Sequence, residues 1–142
     1  AYGAVAAPRR IVLHGGPGAH HDYLLPQLLH LAERHELLFY DQRGGGRSRT
    51  DERAPITWRT HVEDLALVVR ELAGDPLHLV GYSWGGLLAL LSLFESSRDS
   101  NLRPPASLVL IEYEVSVVPS GLRTTTCGQQ PIVLLVNLKN TR

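Results

Sequence analysis

Four short apolar runs punctuate the chain, around Ile11-Val12-Leu13, Leu37-Leu38-Phe39, Leu79-Val80 and Leu108-Val109-Leu110-Ile111. Each is too brief for a helix and nearly continuous rather than alternating, the pattern of strands buried on both faces. They predict strands over 9–14, 36–40, 77–81 and 106–111. Between them the apolar period changes to that of helices. Leu28, Leu31 and Ala32 mark the inner face of a helix over 26–35, with Pro26 tolerated in its first turn. Val62, Leu65, Val69 and Leu72 mark the inner face of a second helix over 57–73, which either Thr57 or the Thr60/Glu63 pair could cap. A third, over 84–95, is apolar on almost every side and reads as wholly buried. Strands alternating with helices indicate an α/β fold: a mostly parallel sheet with helices on both faces. Beyond Glu112 the period is lost, apart from one more candidate strand over 131–136.

At 142 residues the chain holds one domain at most, and we treat 1–142 as a single partial domain with a tail from 113. Composition changes the picture little. Formal net charge is zero, which argues against nucleic acid as a partner. No stretch approaches the roughly 20 apolar residues of a membrane span. Arg43, Arg47, Arg49 and Arg53 cluster, but Asp41, Asp51 and Glu52 offset them, as in a solvated loop. The single cysteine, Cys127, rules out an internal disulfide and fits a reducing, cytoplasmic compartment. No set of residues has the spacing of a metal site, and no cofactor is implied. The chain contains no methionine and does not begin with one, which suggests a processed product or a piece of a longer reading frame.

Candidate chemistry gathers where three of the predicted strands end, at the carboxyl edge where open α/β sheets bind ligands. The strongest signal is Gly81-Tyr82-Ser83-Trp84-Gly85, set between a strand and a helix. There a Gly-x-Ser-x-Gly sequence makes a nucleophile elbow, exposing the serine hydroxyl while the glycines remove colliding side chains. Ser83 as an ordinary helix cap is the plainer alternative. His14-Gly15-Gly16-Pro17-Gly18 offers unscreened N–H groups which, with that of Trp84, would form an oxyanion hole; a simple strand-to-helix turn would use the same residues. Asp41-Gln42-Arg43-Gly44-Gly45-Gly46-Arg47-Ser48 reads as a supporting loop in which Asp41 and Arg43 pair, or as a solvated glycine-rich loop.

The three motifs, in this order, resemble the proline iminopeptidase branch of the α/β-hydrolase fold, over about residues 9–112. The resemblance implies a serine hydrolase acting on a small peptide, amide or ester without a cofactor. It favours Gly16 over Gly15 as the oxyanion donor beside Trp84. It also implies a helical cap inserted after the strand over 106–111, yet only about twenty residues separate that strand from the one over 131–136. The rest of the catalytic set is not evident. All seven histidines precede Ser83, whereas this fold orders nucleophile, acid, then histidine. No base is found. Glu112, at a strand end, is a candidate acid, Asp99 lies in a polar loop, and Asn140 stands near the family's acid position but cannot serve. The chain is therefore expected to be a truncated hydrolase with little activity and an open, aggregation-prone sheet edge; the alternative is an inactive, hydrolase-like binding protein.

Overall fold

The computed structural model describes residues 1–51, 53–112, 124–125 and 132–137. Strands β1 (Arg9–Leu13), β2 (Glu36–Phe39), β3 (His78–Tyr82) and β4 (Ser107–Glu112) run parallel in the order β2-β1-β3-β4. Their register places Leu38, Ile11, Leu79 and Leu108 in one row across the sheet and Phe39, Val12, Val80 and Val109 in the next. Successive rows face opposite ways, because side chains alternate along a strand. The Ile11 row, with Leu13 and Leu110, packs against helices α2 (Trp58–Leu72) and α3 (Trp84–Ser96). The Val12 row packs against Leu24 and Leu28 on the opposite face. Both faces are covered by helical elements, which explains the near-continuous apolar strands.

The predicted helix over 26–35 begins earlier and is broken. A 3₁₀ turn at Asp22–Leu24, the short α1 (Leu25–Leu28) and a second 3₁₀ stretch at Leu29–Glu33 take its place. Pro26 falls in the first turn of α1, where its missing N–H costs nothing, and 3₁₀ geometry is common in such short connectors. Helix α2 is capped by Thr57, not by Thr60. The Thr57 hydroxyl accepts from the Thr60 N–H, and the Thr60 hydroxyl answers to the Thr57 N–H. Val62, Leu65 and Val69 are buried as expected, but Leu72 is 45% exposed.

Helix α3 departs most from its sequence pattern. Gly85, Gly86, Leu88 and Ala89 are buried against the sheet, while Leu87, Leu90 and Phe94 are 48%, 42% and 54% exposed. The candidate strand over 131–136 is present one residue later as β6 (Ile132–Asn137), running antiparallel to β4, and the short β5 (Thr124–Thr125) pairs with it. At the other side of the sheet Tyr2 exchanges two backbone hydrogen bonds with Leu37 and shields part of the β2 edge.

Candidate active site

Ser83 sits between the last residue of β3 and the first of α3, with φ 51° and ψ −118°. Among the described residues it is the only non-glycine at positive φ, a conformation that costs on the order of 1–3 kcal/mol and persists only where surrounding packing enforces it. The enforcement is visible. The Ser83 N–H donates to the Ile111 carbonyl at 3.0 Å, and its own carbonyl accepts from Gly86 and Leu87 at 2.8 and 3.2 Å. Behind the turn, a Cβ on Gly81 would lie 2.5 Å from the Gly85 carbonyl oxygen, and one on Gly85 would lie 2.1 Å from that of Leu13. Two glycines thus let strand, turn and helix close on one another. The Ser83 side chain makes no capping hydrogen bond and is exposed. The helix-cap alternative does not describe this serine.

The glycine loop after β1 lies against the elbow: a Cβ on Gly15 would come within 3.1 Å of Ser83 Cβ. Its peptide groups are individually held. The His14 carbonyl accepts from Gln42 Nε2 at 2.8 Å, and the Gly15 N–H donates to the Tyr23 hydroxyl at 2.7 Å. The Gly15 carbonyl is 2.9 Å from His14 Nδ1. Because the Gln42 N–H donates to His14 Nε2 at 3.0 Å, Nδ1 carries the ring proton and donates to that carbonyl. The Gly15–Gly16 peptide is therefore fixed with the Gly16 N–H directed away from the His14 ring. Of the two candidate donors, Gly15 is engaged and Gly16, at φ 64°, is exposed.

Gln42 is the residue that motif reading passed over. It is 1% exposed, and beyond its two bonds to His14 its Oε1 accepts from Trp84 Nε1 at 2.8 Å. One buried amide thus ties the loops after β1 and β2 to the elbow. His61 packs on the Trp84 ring in a T-shaped contact, with centroids 5.7 Å apart and planes at 71°. Asp41 and Arg43 do not form the expected pair. Asp41 accepts from the backbone N–H and Nδ1 of His21 at 2.9 and 2.7 Å and from the Arg47 N–H at 2.9 Å. Arg43 reaches across to Asp64 on α2 with two bonds of 2.7 and 2.9 Å. The loop is far from loosely solvated: Gly45 packs on the Ala19 carbonyl and Gly46 on the Asp41 carboxylate, each too closely for a Cβ.

This geometry agrees with what the chain is similar to. Residues 11–94 match the family model for the alpha/beta hydrolase fold. The chain belongs to the α/β-hydrolase family. A proline iminopeptidase of Thermoplasma volcanium is 48% identical over 82 residues, and one of Lactobacillus delbrueckii subsp. lactis is 41% identical over 88. These alignments cover 56% and 58% of this chain but only 28% and 30% of the relatives, so the chain spans less than a third of their length. The crystal structure of a proline iminopeptidase-related protein from Thermus thermophilus superposes with a TM-score of 0.64 at 31% identity, covering 76% of this chain and 37% of that one.

In an α/β hydrolase the acid and the histidine follow the nucleophile along the chain. Here His14 is fully buried with both ring nitrogens engaged, and burial lowers its basicity, only partly offset by the bond to Gly15. Burial likewise lowers that of His61, which is 3% exposed. His78 Nδ1 lies 2.7 Å from the Ser107 hydroxyl. His21 is held between Asp41 and Asp22, its Nε2 3.3 Å from the latter. Asp99 accepts from Asn101 in an exposed turn. Glu112 ends β4, while Asn140 and Cys127 lie outside the described residues. Among the described residues no group of His, Cys, Asp or Glu is placed to hold a metal, and no helix is long and apolar enough to cross a membrane.

Proposed function

We propose that Ser83 is the nucleophile of a serine-type amide or ester hydrolase, with the N–H groups of Gly16 and Trp84 as its oxyanion donors. The observation that carries this reading is the strained turn at Ser83, which frees the hydroxyl from capping and sets it against the glycine loop. Strain at a non-glycine residue, enforced by two glycines behind it, has no evident purpose in a plain strand-to-helix connection. The reaction that fits is attack of Ser83 Oγ on a carbonyl carbon. A tetrahedral oxyanion would form between Gly16 and Trp84, the amine or alcohol would leave, and water would release the acyl group. Gln42, Asp41 and Arg43 act behind these groups by holding the three loops in place. The similarity to proline iminopeptidases makes peptides with an N-terminal proline or a similar small residue the substrate class of choice. The near-neutral charge and lone cysteine fit action on such small molecules in the cytoplasm.

Proton removal from Ser83 is the step without a placed base: His14 and His61, the histidines beside the glycine loop and the Trp84 ring, are buried, and burial lowers the basicity of both. The same fact favours a second reading, a hydrolase-like protein that binds a ligand without turning it over. A fluorophosphonate probe with peptide mapping separates the two. Slow labelling at Ser83, absent in Ser83→Ala, is expected, together with turnover of a proline nitroanilide at most about 1000-fold above the uncatalysed rate. No labelling after prolonged incubation would leave only the binding reading. Rates typical of intact hydrolases would show that an upstream histidine supplies the base.

A further inference from the structure

We propose that the Tyr23 hydroxyl is a third oxyanion donor, a side-chain O–H that acts with the N–H groups of Gly16 and Trp84 on the oxygen of an acylating substrate; this rests on Ser83 being the nucleophile. The Tyr23 oxygen accepts the Gly15 N–H at 2.7 Å. A phenol that accepts a hydrogen bond still has its own hydrogen to donate, and among the described residues no acceptor takes it. Its location is the telling point. The spot that a Cβ on Gly15 would occupy lies 3.0 Å from the Tyr23 oxygen and 3.1 Å from Ser83 Cβ, so the hydroxyl and the carbon that carries the Ser83 oxygen flank the same point.

The ring is held there rather than swinging freely. It packs edge-on against Tyr82, 5.9 Å away at 65°, and against His20, 6.2 Å away at 76°. Tyr23 nevertheless remains 39% exposed, at the mouth of the site rather than inside the core. A tyrosine serving the fold alone would be expected to spend its hydrogen on a backbone carbonyl. This one receives a backbone N–H instead, which polarises its O–H bond and strengthens it as a donor. Gly15 and Tyr23 together thus replace an N–H that is already engaged with a hydroxyl that can point toward the reaction.

The test is the rate at which an ethyl fluorophosphonate labels Ser83 in the full chain, whose P–F bond breaks as the Oγ–P bond forms and whose phosphoryl oxygen then occupies the oxyanion position. Tyr23→Phe is expected to slow labelling about 100-fold, in line with loss of one oxyanion donor. A second protein, carrying trifluorotyrosine at position 23, keeps the ring and separates donation from acceptance. Its phenolate, formed at neutral pH, still accepts from Gly15 but has nothing to donate. Its labelling rate relative to wild type should fall as pH rises through the phenol's titration. Wild-type labelling by the Phe variant, or a slow Phe variant paired with a flat pH ratio, would overturn the proposal. Failure of the wild type to label at Ser83 would instead remove the nucleophile reading, and this proposal with it.

Discussion

A carboxylate only 9% exposed, Asp41 keeps its charge because three N–H groups converge on it. Burial alone would raise its pKa, but the bonds from Arg47 and His21 outweigh that and hold it at about 2. Its folded value thus lies below the ordinary unfolded one near 3.9. The stabilisation is complete above the unfolded value and is lost as pH falls toward 2. Asp41→Asn should cost roughly 1.5–3 kcal/mol at neutral pH, the usual worth of hydrogen bonds to a charged group. Urea unfolding between pH 2 and 6 should show a flatter stability slope in the variant below pH 4; parallel curves would mean that Asp41 contributes no charge-linked stability. That Asp41 mattered was legible from the Asp-Gln-Arg motif. Its partner was not, because His21 meets it only once the loops after β1 and β2 are folded together. Gln42 was hidden for a related reason: glutamine bears no catalytic signature, and its importance comes from three bonds that cross between loops.

At the level of elements, the strands and α2 fall within a residue or two of their predicted positions, since apolar runs and a 3.6-residue period are local properties. Direction and environment are not local. Nothing in residues 131–136 specifies that β6 runs antiparallel to β4, and nothing in the apolar pattern of α3 shows which side has a neighbour. What could be read was the need for glycine around Ser83, and its physical basis is now specific. A Cβ on Gly85 would lie 2.1 Å from the Leu13 carbonyl oxygen and 2.8 Å from that of His14. Those atoms belong to a central strand and the pinned loop after it, and neither can yield without disturbing the register of β1. Gly85→Ala should therefore cost about 3 kcal/mol, the upper end of overpacking penalties. Gly18→Ala, where a Cβ meets open space and only the positive φ is unfavourable, should cost about 1–2 kcal/mol. Chemical denaturation of the two variants tests the ranking; equal losses would mean that α3 can lift off β1 without penalty.

For the molecule as a whole, the feature with the largest consequence is the apolar face left on α3. Leu87, Leu90 and Phe94 recur at i, i+3 and i+7, so they lie along one side of the helix, and each is about half exposed. Single exposed apolar residues are ordinary, but a contiguous stripe on one helix promotes association. Arg98 lies 5.4 Å from the Phe94 ring and covers it only in part. Tyr2 shields part of the β2 edge, and the exposed stripe on α3 adds a helix face to the open sheet edge as a route to association. Wild-type chain should accordingly self-associate in a concentration-dependent manner, measurable by light scattering over a dilution series. Replacing Leu87, Leu90 and Phe94 with glutamine preserves helix propensity and leaves the buried Leu88 and Ala89 untouched. The triple variant should remain monomeric over the same range, with unchanged far-ultraviolet dichroism and an unaltered rate of Ser83 labelling, because the stripe faces away from the elbow's buried glycines. A wild type that is monomeric at every concentration would mean that this face is not adhesive. A variant that associates as strongly as wild type would assign the association to the sheet edge after all.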